Sequence, residues 1–159
     1  MQQLITKIKG LYPSLNFNSG NQFYWSPENN QITYKAKETS DQGLWALLHE
    51  TGHALLKHTT YKADYELIRM EMSAWTKAEE LANKFDIVID KDHIEDCLDT
   101  YRDWLYKRSI CPTCTSKSLQ QGDIVHYRCF NCHTVWKVSA NRFCRSYRTT
   151  KNIVYRETI

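Results

Sequence analysis

Two cysteine pairs of identical spacing, Cys111-Pro-Thr-Cys114 and Cys129-Phe-Asn-Cys132, stand fourteen residues apart. Each C-x-x-C turns the chain in a tight knuckle, and two knuckles together close a tetrahedral thiolate site for zinc. The pairing predicts a β-rich zinc ribbon near the C-terminus. Gly122–Arg128 would return as a strand to the second knuckle, with β-leaning runs at Ile124–Tyr127 and Thr134–Val138. Four thiolates leave no open coordination position, so this site is structural rather than catalytic. A redox dithiol is disfavoured because no thioredoxin-like βαβ pattern surrounds either pair. A disulfide framework belongs to short secreted chains rather than to one of this kind. Cys97 and Cys144 read as ordinary thiols, although Cys144 lies close enough to Cys132 to be an alternative ligand. His126 and His133 read as surface or packing residues.

The 159 residues allow one compact domain, or one domain with a small appendage. No run of eighteen apolar residues exists, so no membrane span is expected. The N-terminal stretch MQQLITKIKG lacks the apolar core of a secretory signal, and a cytoplasmic location is the expectation. Charge is divided unevenly. Residues 1–106 carry 11 Lys and Arg against 16 Asp and Glu, a net −5, while residues 107–159 carry 10 against 2, a net +8. Arg142, Arg145, Arg148 and Lys151 alternate with Phe143 and Tyr147, a mixture suited to gripping phosphates and stacking on bases. DNA or RNA is the partner this pattern suggests, and a plain solvated tail is the alternative. The division is expected to fall near Lys107–Ile110, giving a body at 1–108 and a ribbon with a basic tail at 109–159.

Within the body, Leu4, Ile5, Ile8 and Leu11 have the spacing of a short amphipathic helix. Gln22–Trp25 and Gln31–Lys35 are β-leaning runs joined by Ser26-Pro-Glu-Asn-Asn30, a hairpin signal. Thr39-Ser-Asp-Gln42 offers an N-cap and capping box for a helix at about Asp41–His58. A second helix, about Asp64–Phe85, carries an apolar stripe of Ile68, Met72, Trp75, Ala78, Ala82 and Phe85. A third, about Lys91–Arg108, would bury Ile94, Leu98, Tyr101 and Leu105.

The first long helix contains His49-Glu-Thr-Gly-His53. Residues four apart share a helical face, so the two imidazoles can hold one ion. Glu50, turned about a third of a turn from His49, could then reach water at the ion and act as general base. Leu44, Trp45, Leu47, Leu48, Leu55 and Leu56 surround the motif, which argues for a buried helix. Buried histidines need partners, and a metal is the simplest one; two core histidines satisfied by hydrogen bonds are the alternative. Two histidines and one further ligand would leave a coordination position open for catalysis.

The third ligand must lie elsewhere. In H-E-x-x-H-x-x-G-x-x-H it is a histidine, but Leu56 and Thr59 stand where that pattern needs Gly and His. His58 is expected to point away from His53 along the same helix. Glu66 and Glu71 both lie in the next helix. Glu71 is flanked at helical spacing by Ile68, Met72, Trp75 and Ala78, which places it toward the core and makes it the preferred ligand. Glu66 falls on the polar side.

HETGH followed by Glu71-Met-Ser-Ala74-Trp75 resembles the gluzincin metallopeptidases, and in particular the small ImmA/IrrE-like group with its H-E-x-G-H helix and E-x-x-A segment. The resemblance covers roughly Gln22–Phe85. It implies an α+β zincin-like domain in which His49, His53 and Glu71 bind catalytic zinc and Glu50 is the base. It also implies that the Phe23–Lys35 hairpin supplies an edge strand to a protein or peptide substrate. Two zinc ions per chain follow, one catalytic and one in the ribbon. No helix-turn-helix segment accompanies the motif, and the oxyanion-stabilising side chain is open among Tyr61, Tyr65 and His93. The overall architecture is also similar to the SprT-like proteases, which join an HExxH helix to a zinc ribbon and act on DNA-bound or DNA-crosslinked proteins. Their third ligand is a histidine in a His-Gly-x-x-W-like segment that this chain lacks. A non-catalytic DNA- or protein-binding module with two structural metal sites is the rival from another class. Glu50 argues against it, since a structural site has no use for a base.

Overall fold

The computed structural model describes residues 1–123 and 125–139, and the backbone alone of 148–151. Among them lie four helices and two small sheets, an α+β fold. The chain forms two compact units, Met1–Thr60 with Arg69–Asp96, and Tyr61–Ile68 with Cys97–Ile159. No helix among the described residues is long and apolar enough to cross a membrane.

The first unit opens with α1 (Gln2–Leu11), which buries Leu4, Ile5 and Ile8 while Leu11 stays exposed. Strands β1 (Asn16–Ser19), β2 (Tyr24–Ser26) and β3 (Gln31–Tyr34) form a sheet in the order β1-β3-β2. The expected hairpin is β2–β3, antiparallel, with Trp25 opposite Ile32. Asn30 occupies the left-handed region at φ 46°, as an Asn in a tight turn readily does. β1, parallel to β3, was not expected, because its polar, largely exposed NFNS sequence lacks a strand's alternation.

Helix α2 (Asp41–Leu55) starts at Ser40, whose hydroxyl accepts the Gly43 N–H at 3.2 Å. The expected Thr39–Gln42 box is replaced by Glu38, whose Oε1 accepts the N–H groups of Thr39 and Ser40. The helix also ends three residues earlier than expected. Lys57, at φ 55°, turns the chain out of the helix before His58.

Helix α3 (Asp64–Lys84) buries Glu71, Ala74, Trp75, Ala78, Leu81 and Ala82. This face is rotated from the expected stripe: Met72 is exposed and Ile68 only half-buried. Helix α4 (Lys91–Ser109) buries Ile94, Leu98, Trp104 and Arg108, with Tyr101 and Leu105 half-buried.

In the second unit, β4 (Leu119–Gln120), β5 (His126–Arg128), β6 (Val135–Val138) and β7 (Arg148–Lys151) form an antiparallel sheet in sequence order. Cys111, Tyr127, Cys129, Trp136 and Val138 make its core, with Tyr127 and Trp136 stacked 5.6 Å apart. A buried ion pair completes it. Arg108 Nε donates to Asp64 Oδ2 at 2.8 Å, and the Tyr127 hydroxyl donates to the same oxygen at 2.5 Å. Arg108 also donates to the Ser139 carbonyl, and its own carbonyl accepts from Trp136 Nε1 at 3.0 Å.

Candidate metal centre

Three donor side chains converge in the first unit. Glycine at position 52 is what lets α2 and α3 approach closely enough for this. A β-carbon there would lie 2.5 Å from the Ala74 carbonyl oxygen, closer than real β-carbons come to any atom. His49 and His53 from α2 then meet Glu71 from α3. His49 Nε2 is 3.1 Å from Glu71 Oε2 and 3.0 Å from His53 Nε2, and His53 Nε2 is 3.5 Å from Glu71 Oε2. All three residues are buried.

The donor set fits a zinc-type ion. Bonds of about 2.0–2.1 Å at a tetrahedral centre place ligand atoms about 3.3 Å apart, which is the spacing found here. Two imidazoles and a carboxylate also leave room for a fourth ligand. Burial alone would raise the Glu71 carboxyl, yet the hydrogen bonds to His49 and His53 hold it well below the usual carboxylate range. It is thus ionised, as a ligand must be.

Glu50 sits one residue along the motif. Its Oε2 accepts the Trp25 main-chain N–H at 2.7 Å, which ties α2 to strand β2. Burial pushes its carboxyl above the ordinary range, against the pull of the neighbouring imidazoles and of that N–H.

His58 is a correction to the sequence reading. Because the helix stops at Leu55 and Lys57 is left-handed, His58 folds back rather than pointing away. Its Nδ1 lies 2.8 Å from His53 Nδ1. Its own pKa is lowered, first by burial. Ser73 Oγ lies 3.3 Å from His58 Nε2, and Trp25 Nε1 donates to the His58 carbonyl at 2.8 Å. No spacing rule pointed to His58, Ser73 or Trp25. Gly52 was visible inside the motif but not its purpose.

Glu66 is not one of the converging donors: its Oε2 accepts the N–H groups of Lys62 and Ala63, fastening the start of α3. His93 packs its ring against Trp45 and Trp75, and Trp75 in turn stacks on His49 at 4.3 Å. Tyr61 and Tyr65 belong to the second unit.

In that unit Cys111, Cys114, Cys129 and Cys132 come together. Cys111 and Cys132 sulfurs are 3.5 Å apart, and Cys114 and Cys129 sulfurs 3.4 Å. These separations lie a few tenths of an ångström inside the roughly 3.8 Å edge of a tetrahedron with bonds of about 2.3 Å. The knuckles repeat one another. Cys111 N–H donates to Ser116 O and Cys129 N–H to Thr134 O, both at 2.9 Å. Thr115 and His133, each following the second cysteine of a pair, are both left-handed at φ 61° and 59°. Hydrogen bonds with the Ser116 hydroxyl and main chain bring the Cys114 thiol down to about 5, while burial raises Cys111. The Cys132 N–H lowers Cys129.

Cys97 lies on α4 outside both clusters. Cys144, Arg142 and Arg145 fall outside the described residues, and of Arg148 only the backbone, opening β7, is described. Compared with family models, with curated proteins and with solved structures, the chain matches none of them.

Proposed function

We propose that this chain is a zinc metalloendopeptidase that hydrolyses peptide bonds of a cytoplasmic protein, with a four-cysteine zinc ribbon as its second metal site. The observation that carries the reading is the convergence of His49, His53 and Glu71 beside a half-buried carboxylate, Glu50, that is not one of the three donors. The carboxylate third donor favours a gluzincin-type centre over a SprT-like one, where that donor is a histidine.

His49, His53 and Glu71 would hold the ion, which supplies Lewis acidity toward a carbonyl and lowers the pKa of water to about 7. Glu50 takes the proton of the attacking water. The same carboxyl then hands the proton on to the leaving amine. Trp25 N–H occupies Oε2 and so orients the carboxylate, leaving Oε1 for the water. β2 is an edge strand, and an extended peptide laid along it would reach this carboxylate.

The test uses the zinc-loaded chain and an unstructured protein substrate. Glu50→Gln should retain both ions and lose turnover by at least about 100-fold. Unchanged turnover in Glu50→Gln, or one ion per chain held by thiolates alone, would sink the reading.

The +8 charge of residues 107–159 favours a nucleic-acid-associated substrate. Binding to DNA or RNA should weaken steeply with salt through counterion release. Replacing Arg142, Arg145 and Arg148 together should flatten that dependence and leave cleavage of a free peptide unchanged. No binding at low salt would return the tail to a solvated surface.

A further inference from the structure

Coordination through Nε2 requires a histidine to carry its proton on Nδ1, and what accepts that proton fixes the ring. His49 Nδ1 is buried with no hydrogen-bond partner among the described residues. Packing on Trp75 orients that ring instead. His53 is different, because its Nδ1 meets His58 Nδ1 at 2.8 Å.

The direction of that hydrogen bond can be read from the far end of a chain of contacts. Ser73 Oγ donates to the Met70 carbonyl at 2.9 Å, and a carbonyl can only accept. The one hydroxyl proton being so used, Ser73 accepts from His58 Nε2–H at 3.3 Å. His58, protonated on Nε2, has a lone pair on Nδ1 and accepts from His53 Nδ1–H. His53 Nε2 is then the nitrogen that turns to His49 and Glu71, a donor to Glu71 without an ion and a lone pair for the ion once that proton leaves.

The backbone holds His58 in place for this. Lys57 at φ 55° makes the turn, the His58 N–H donates to His53 O at 3.0 Å, and Trp25 Nε1 donates to His58 O at 2.8 Å. We infer that His58 is a positioning residue: anchored by Ser73 and Trp25, it accepts the Nδ1 proton of His53 and presents Nε2 as the metal-binding nitrogen. This rests on the reading of His49, His53 and Glu71 as a metal centre. Loss of such an outer partner weakens metal binding by about 10–100-fold in comparable sites.

The experiment titrates the full chain with zinc against a competing chelator, after the thiolate site has been filled. Wild type should take a second ion. His58→Phe keeps the ring but removes the acceptor, and should weaken that second ion by about 10-fold or more while leaving the thiolate ion in place. His58→Asn places an oxygen near the position of Nδ1 and should recover most of the affinity. A merely structural role would not yield that recovery. Nitrogen-15 spectra of the zinc-loaded wild type should show His58 protonated on Nε2 and His53 on Nδ1. His58→Phe binding the second ion as wild type does, or His58 protonated on Nδ1, would overturn the inference while leaving the metal centre intact. A wild-type chain that takes no second ion would remove the metal reading itself. If His58→Phe does not fold, the tautomers of the wild type decide the matter.

Discussion

The Gly52 α-carbon and the Ala74 carbonyl face each other so closely that no side chain fits between them; a β-carbon would sit 2.5 Å from that oxygen. The obstacle is main chain, which cannot rotate aside. Gly52→Ala should therefore push α2 and α3 apart, at a cost of about 1–3 kcal/mol. The larger consequence is at the donor cluster, because Glu71 lies one turn from Ala74 and would recede from both imidazoles. Calorimetric zinc titration should show the second ion weakened in Gly52→Ala, and denaturant unfolding should show the lost stability. Unchanged binding would mean that the helix contact does not set the spacing of the donors.

Glu50 gives a pH-dependent prediction for the metal-free chain. Its folded pKa lies above the ordinary 4.5, so the folded state holds the proton more tightly than the unfolded one. Its contribution to stability is complete below 4.5 and is lost as pH rises through the raised value. Glu50→Gln should accordingly raise the melting temperature at neutral pH, with the advantage disappearing near pH 4. Glu71 runs the other way, since its depressed pKa stabilises the fold above 4.5 and that contribution fades on acidification. Thermal melts of Glu50→Gln against wild type across pH 4–8 test the sign.

The ribbon thiols should be distinguishable by reactivity once zinc is stripped. Cys114, held at about 5, is a thiolate at neutral pH, whereas Cys111 is raised by burial and stays protonated. Alkylation at pH 6–7 followed by peptide mapping should label Cys114 well before Cys111. Restoring zinc should protect both. Labelling of Cys111 ahead of Cys114 would contradict the hydrogen bonding assigned to Ser116, and equal rates would mean that the knuckles unfold without the ion.

Asp64 and Arg108 make a separate test of the second unit, being almost wholly buried. Asp64→Ala would remove the buried carboxylate that pairs with Arg108 Nε and accepts from the Tyr127 hydroxyl. A loss of about 3–5 kcal/mol is expected in the zinc-loaded chain. Replacing exposed Asp103, which pairs with Lys107 at 3.7 Å, should change stability by less than about 1 kcal/mol.

Local rules carried the reading of this chain a definite distance. His49 and His53 were legible because four residues of α-helix return to the same face, and the cysteine pairs because ligand spacing is a short-range property. Glu71 was legible from its apolar neighbours, although Met72 among them proved exposed: a helical wheel gives a face only to within a residue or so. His58 was not legible. Its place depends on where α2 stops, and the stop is a left-handed lysine rather than the glycine or asparagine that would announce it. Strand β1 escaped notice because β3 recruits it by pairing, without alternation in its own sequence. Gly52 illustrates the same limit, since its reason lies on another helix, at Ala74.

Trp25 has one bond to each side of this chemistry. Its main-chain N–H is bonded to Glu50, and its indole is bonded to the carbonyl of His58. One residue of an edge strand thus fastens both the carboxylate and the support of His53, and the two share a single mechanical coordinate. On the function proposed above, a peptide that pairs with β2, or a change in the Pro27–Asn30 turn that slides it, would not reset Glu50 without also tugging on the His53 ring. If the proposed activity holds, redesigning the strand for new substrates would retune proton transfer and metal grip together, which makes Trp25 the residue to hold fixed in any such effort.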